Sequence, residues 1–157
     1  MKKLLIVVAL AAAFSAQAAD FSLNAGSYKG VTRQGVAIET APVYVNGGFS
    51  VVPMFEIANL RYQQDNVVQL SAVPMLRYNF GNGLFTEGGI GASGISRTTL
   101  GDKSFGSGFQ FSSNLGVGYH FTDTVSVTYR ISHFSNAGIK HPNDGLTMQS
   151  VVLGFKF

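Results

Sequence analysis

The sequence predicts an all-β protein, an eight-stranded antiparallel transmembrane β-barrel of the bacterial outer membrane. Three observations predict it. The chain opens with Lys2-Lys3, a short apolar run from Leu4 to Phe14, and then Ser15-Ala16-Gln17-Ala18-Ala19. A basic start, an apolar core and an A-x-A site make a secretory signal peptide. Charged residues are only 12% of the chain, against about a quarter in an ordinary soluble domain. Yet no later stretch approaches the ~20 apolar residues that a spanning helix needs. Beyond the leader, the chain instead alternates apolar and polar residues at a period of two. Only helices and closed barrels satisfy their own backbone groups in lipid, so an exported, charge-poor, alternating chain points to a barrel.

Residues 1–18 are expected to form the signal peptide, cleaved after Ala18, and residues 19–157 a single barrel domain. The formal net charge is +3, of which Lys2 and Lys3 supply two. Nothing here resembles the clustered basic surface of a nucleic-acid binder. Cysteine is absent, so no disulfide or thiolate metal site is available.

The first strand is expected from Phe21 to about Tyr28, with Phe21, Leu23 and Ala25 outward. Val36, Ile38, Thr40, Pro42 and Tyr44 form the outer face of the second, with Glu39 inward. Asn46-Gly47-Gly48 has the composition of a hairpin turn. The third strand carries Phe49, Val51, Phe55 and Ile57 outward and Glu56 inward, ending near Tyr62. Gln63 to Asn66 reads as a loop.

The fourth strand places Val68, Leu70, Ala72, Leu76, Tyr78 and Phe80 outward, and Gln69, Ser71, Arg77 and Asn79 inward. Gly81-Asn82-Gly83 is a short turn. The fifth, Leu84 to about Arg97, is glycine-rich and carries Glu87; a polar segment, Thr98 to Ser104, comes next. The sixth alternates most cleanly, with Phe109, Phe111, Leu115, Val117, Tyr119 and Phe121 on one face. After Thr122-Asp123-Thr124 comes the seventh, with Val125, Val127, Tyr129 and Ile131 outward. A loop from Ala137 to Gly145 leads to the eighth, where Val151, Leu153, Phe155 and Phe157 share a face.

An even strand count puts both termini on the periplasmic side, with short turns there and longer loops outside. The turns after strands two, four and six are expected to be the short ones. Glu39, Glu56, Glu87, Arg77 and Arg130 then point into a lumen that side chains fill, which excludes a transport pore. A soluble lipocalin-like barrel would need the apolar faces inside; charges and glycines on the inward parity argue against it.

The outer parity of the seventh strand continues from Ile131 into His133 and Ser135, near its extracellular end. Residues two apart on a strand lie roughly 7 Å from one another, a gap two side chains can close. Imidazole near neutral pH is the base that a serine hydroxyl needs to become a nucleophile. Polar groups on a lipid-facing surface are costly away from the interface. The neighbouring Asn136 offers a donor for an oxyanion, by backbone or side chain. His120 falls inward beside a periplasmic turn and reads as a satisfied lumen residue. His141, in the last loop, has no acidic cluster beside it. No helix comes after the glycines that end the fourth strand, so they make no phosphate loop. No cofactor or metal is expected.

The run His133-Phe134-Ser135-Asn136-Ala137-Gly138-Ile139-Lys140, continued by Pro142-Asn143-Asp144-Gly145, resembles the PagL family of outer-membrane lipid A 3-O-deacylases. The resemblance implies hydrolysis of the ester at the 3 position of lipid A, the lipid anchor of lipopolysaccharide. It assigns Ser135 as nucleophile, His133 as general base and Asn136 to the oxyanion hole. The family carries an acid two residues after the Asp-Gly pair, where this chain has Thr147. Losing the acid of such a triad reduces turnover by up to ~10⁴. Three arrangements are open: Thr147 orients His133 by a hydrogen bond, Asp144 swings in from the loop, or the protein is weakly active or inactive.

Arg33, Arg61, Arg97, Lys103 and Lys140 fall near expected extracellular ends, where phosphates would meet them. The terminal phenylalanine resembles the signal that barrel assembly machinery reads during insertion; a homodimer is left open. Two other readings stand beside deacylation: a non-catalytic structural or adhesive barrel, and an outer-membrane phospholipase.

Overall fold

Strict alternation leaves each strand with one face for lipid and one for the interior, and the chain resolves this by closing on itself. A computed structural model describes residues 20–157; the expected signal peptide lies outside them. Among the described residues there are eleven strands. They are β1 (Asp20–Tyr28), β2 (Val31–Glu39), β3 (Tyr44–Asn46), β4 (Phe49–Tyr62), β5 (Asp65–Asn79), β6 (Leu84–Ile95), β7 (Thr99–Leu100), β8 (Lys103–Ser104), β9 (Phe109–His120), β10 (Val125–Ser135) and β11 (Leu146–Phe155). Eight of them form an antiparallel ring in the order β2, β1, β11, β10, β9, β6, β5, β4, closed by the pairing of β2 with β4. Closure leaves no long edge, which is what a bilayer demands of a sheet.

The outer surface carries exposed Leu23, Phe55, Ile57, Leu70, Leu76, Ile90, Leu115, Val117, Tyr129, Ile131, Val151 and Leu153. Edge-to-face pairs Tyr78–Phe80 and Tyr119–Phe121 sit at the end holding both described termini, and Phe109–Phe111 at the other. An apolar band between aromatic girdles is the lipid-facing pattern of outer-membrane barrels, and an even strand number makes the terminal end periplasmic.

The interior is divided by height. Near the extracellular end Val31, Leu60, Val67, Leu100, Phe105, Phe134, Leu146 and Met148 form a buried apolar plug. Below it lies a network of charges. Arg130 donates to Glu87 at 2.6 and 2.9 Å, and Arg77 donates to Glu87 at 2.8 Å and to Glu39 at 3.0 Å. Higher in the barrel Arg33 pairs with Glu56 at 2.6 Å, and the same carboxylate accepts from Asn24. Three guanidinium groups against three carboxylates leave this interior electrically balanced. Gly118 faces the lumen, where any side chain would overlap the Phe85 ring, and His120 stacks on that ring at 4.6 Å between centroids. A cavity of about 50 Å³, lined in part by Asp20, Glu39, Arg77 and His120, opens toward the periplasmic end.

Several expectations are corrected. β2 stops at Glu39, and Tyr44 belongs to the separate β3, since Pro42 has no N–H to give a ladder. Asp65 and Asn66 are strand rather than loop: Gln63-Gln64 alone makes the turn, with Gln63 at φ 52°. Turn length does not sort the two ends as expected. Lys29-Gly30 and Gln63-Gln64 are two-residue turns on the extracellular side, whereas the β2–β4 connection is the longer one. The segment Thr98–Ser104 folds into the β7–β8 hairpin with Leu100 buried in the plug. Arg33 is only 1% exposed, so it serves the lumen and not a lipid phosphate.

Glu87 is the acceptor shared by buried Arg130 and partly buried Arg77. Breaking a buried ion pair from one side costs roughly 3–5 kcal/mol, because it strands the remaining charge. Glu87→Ala should therefore lower the urea midpoint of the barrel in detergent and the temperature at which its compact gel band is lost. An unchanged midpoint would show that the network does not hold the barrel.

Candidate active site

β10 and β11 position the site, and the ladder between them sets its registry. His133 is paired with Thr147 and Phe134 with Leu146. On the other side of β10, His133 is paired with Ser113 and Ser135 with Phe111. Because side chains alternate across a strand, His133, Ser135, Thr147 and Ser113 all face outward, while Phe134 and Leu146 point into the plug. The structure thus brings the expected nucleophile and base together on the lipid-facing surface at the extracellular end of β10.

Thr147 Oγ1 lies 3.0 Å from His133 Nδ1. The two roles are set by the tautomer: when Nδ1 carries the proton it donates to the threonine oxygen, and Nε2 keeps its lone pair. Gly145 lies against the other edge of the ring. A Cβ on Gly145 would stand 3.1 Å from His133 Cε1 and 3.4 Å from Nε2. Gly145 immediately precedes the Leu146–Phe134 pair, which puts it at the height of Ser135. The Cε1–Nε2 edge of the imidazole therefore lies against Gly145, with Nδ1 at Thr147. No hydrogen bond joins Ser135 to His133 among the described residues; in unliganded enzymes such bonds are often long and tighten on binding.

Asp144 does not reach the histidine. Its Oδ2 accepts from the Ser104 N–H at 2.6 Å, and its own N–H donates to the Ser104 carbonyl at 3.0 Å. Of the two orienting residues expected from the sequence, the one beside the imidazole is Thr147.

Asn136 is fully buried, and its donors are spent. Its Nδ2 donates to the carbonyls of Phe105 at 2.8 Å and Lys140 at 2.6 Å, and its backbone N–H donates to Asn143 Oδ1 at 3.1 Å. Its Oδ1 accepts from the Gly138 N–H at 2.9 Å. The expectation that Asn136 presents a free donor is corrected: the residue builds the loop beside the nucleophile. Beyond Ser135, the Ala137 N–H makes no hydrogen bond among the described residues; Ser113 lies opposite His133 on β9. Ala137 has φ 54°, a conformation that costs a non-glycine residue free energy and recurs at functional sites. Ser113 was legible in principle, as the one polar residue on the outer row between Phe111 and Leu115.

Arg61, Arg97 and Lys140 are exposed and Lys103 is partly exposed, all on the extracellular rim or its loops. With Arg33 buried, these four stand at the extracellular rim together with exposed Lys29 of the β1–β2 turn.

The model for the family described as lipid A 3-O-deacylase (PagL) matches residues 54–156. The lipid A deacylase PagL of Pseudomonas aeruginosa is 34% identical over 167 residues, covering 96% of both chains. That of Bordetella bronchiseptica is 44% identical over 92 residues, 59% of this chain and about half (52%) of the relative's length. A crystal structure of the outer membrane enzyme PagL superposes with a TM-score of 0.70 at 28% identity, covering 87% of this chain and 98% of that one.

Gly145 supplies a test of the geometry. Alanine there would be held at φ +61° with its methyl against the imidazole. Displacing a catalytic group by about 1 Å costs up to ~10²-fold. Gly145→Ala should slow labelling of Ser135 by a serine-directed phosphonate at least ~10-fold, with the compact barrel band retained. Labelling at the parent rate would mean that Gly145 does not set the ring's position.

Proposed function

This chain belongs to the lipid A 3-O-deacylase (PagL) family, and from that premise we propose that it hydrolyses the ester at the 3 position of lipid A with Ser135 and His133. The observation that carries the reading is the outward-facing row Ser135, His133 and Thr147, with Nδ1 of the imidazole held 3.0 Å from a hydroxyl oxygen. A soluble esterase buries such a set in a cleft. Here it stands on the wall of the barrel, where a lipid in the outer leaflet brings its ester alongside.

Ser135 Oγ attacks the carbonyl carbon as His133 Nε2 takes its proton. In the tautomer with a basic Nε2, Thr147 accepts from Nδ1–H and fixes the ring's rotation. The tetrahedral oxyanion needs donors in place before it forms. Asn136 shapes the loop, and the Ala137 N–H, two residues beyond Ser135, is the group assigned to that oxygen. The imidazolium returns its proton to the departing sugar oxygen, and water then releases the acyl chain from Ser135. Arg61, Arg97, Lys103 and Lys140 meet the phosphates and hold the glucosamine head at the rim.

Mass spectrometry of lipid A from cells expressing the protein tests the reading. Wild type should remove the 3-O-linked acyl chain, and Ser135→Ala should leave it in place. Retention in both would end the deacylase reading, and acyl release from phospholipid alone would move it to a phospholipase. Thr147 gives a graded second test. Thr147→Val removes the acceptor for Nδ1 and should lower the rate, while Thr147→Glu supplies a carboxylate and should raise it by ~10 to ~10²-fold. That range corresponds to ~1–2.5 kcal/mol of added imidazolium stabilisation. No change in either variant would show that Thr147 does not orient His133.

A further inference from the structure

We propose that the β6–β9 connection is the positioning element of this active site, and that Asp144 is the residue through which it acts. The inference rests on the deacylase reading for its substrate, though not for its geometry. Two short segments carry the site: Ser135-Asn136 at the end of β10, and Asp144 to Thr147 leading into β11. Both are fastened to the same third segment, residues 104–106 of the neighbouring connection. Asp144 makes two bonds to the Ser104 backbone, one by its carboxylate and one by its N–H. Asn136 donates to the Phe105 carbonyl. Gly106, at φ +68°, lies so close to the carbonyls of Lys140 and Pro142 that a side chain would collide with them.

The attachment continues inside the barrel. Phe105 and Leu100 are buried in one cluster with Phe134 and Leu146. Phe134 lies between His133 and Ser135, and Leu146 precedes Thr147. By alternation, each outward catalytic side chain is thus flanked in sequence by an inward side chain packed against the hairpin. A site on the outside of a barrel has no cleft walls to hold it. Here rigidity comes from beneath, through the plug, and from the side, through Asp144 and Asn136.

The role assigned to Asp144 is that of a hydrogen-bond acceptor for Ser104, not of a charge at the imidazole. Asparagine keeps an acceptor oxygen at that place and loses the charge, so it separates the two roles. Three readouts are needed on full-length protein in detergent or outer-membrane vesicles: kcat and KM for lipid A, phosphonate labelling of Ser135, and retention of the compact gel band. Asp144→Ala should lower kcat and the labelling rate by ~10 to ~10²-fold, with KM within about twofold and the band retained. Asp144→Asn should restore most of both rates and leave the pH profile unchanged.

Four results would overturn the proposal. Asp144→Asn as impaired as Asp144→Ala would assign the charge itself a role. Asp144→Ala at the parent rate would remove the residue from the site. A rise in KM alone would make Asp144 a substrate contact. Loss of the compact band would make its role structural. The labelling rate needs no lipid A, so wild type that labels but does not deacylate would end the substrate reading and leave the positioning test standing. Wild type that does neither would end both.

Discussion

Closure of the ladder is the constraint on which everything else in this protein depends. A sheet in lipid must have no open edge, and the pairing of β2 with β4 removes the last long one. A closed antiparallel ring fixes which face each residue takes, because a slip of one residue would exchange the faces. Shifting β10 by one position would send His133 and Ser135 into the plug and bring Phe134 and Arg130 to the lipid. The balanced interior therefore acts on the site at a distance. Arg130 and Arg33 can lie buried only where Glu87 and Glu56 await them, and that requirement makes alternative registers costly. The charges below and the plug above hold the same register from two heights.

The plug and the network divide the interior by chemistry. Apolar side chains fill the end nearest the site, while the charged layer lies toward the periplasm with a small cavity beneath it. This arrangement suits a wall-mounted site, since close-packed side chains transmit displacement better than a hydrated cavity does. It also explains why the chain invests in the β7–β8 hairpin. Eight strands at this height leave a mouth to be filled, and Leu100 and Phe105 fill it while their backbone fastens the last loop.

Much of this was legible in the sequence, and the reason is the period of two. Strand faces, the inward charges Glu39, Glu56, Glu87, Arg77 and Arg130, and the outward placement of His133, Ser135 and Thr147 all come from counting. What was not legible depends on contacts between distant loops. Leu100 sits in a polar stretch and carries no period, so nothing announced that it turns inward. Arg33 read as a rim cation because β2 was expected to start later; extending the strand to Val31 puts Arg33 on the inward parity beside Glu56. Asn136 and Asp144 bond to partners some thirty to forty positions earlier. Residue type told that they would bond, and only the fold told to what.

Thr147 is where the membrane and the chemistry meet. A carboxylate beside an imidazolium about 4 Å away contributes roughly 4 kcal/mol at an effective dielectric constant near 20. A neutral oxygen accepting from the charged ring contributes about 1.5–3 kcal/mol. The difference, ~1–2.5 kcal/mol, is one to two decades of rate, well short of the ~10⁴ lost when a buried triad acid is replaced by an amide. The larger figure includes selection of the wrong tautomer, which an amide N–H enforces by donating to Nδ1; a hydroxyl can accept from Nδ1–H and so permits the tautomer with a basic Nε2. A carboxylate on a lipid-facing strand also carries a desolvation cost in the resting protein that a threonine does not. On the deacylase reading, threonine here gives up part of the transition-state stabilisation in return for a resting site that lies more easily in the bilayer, with a hydroxyl oxygen still 3.0 Å from His133 Nδ1.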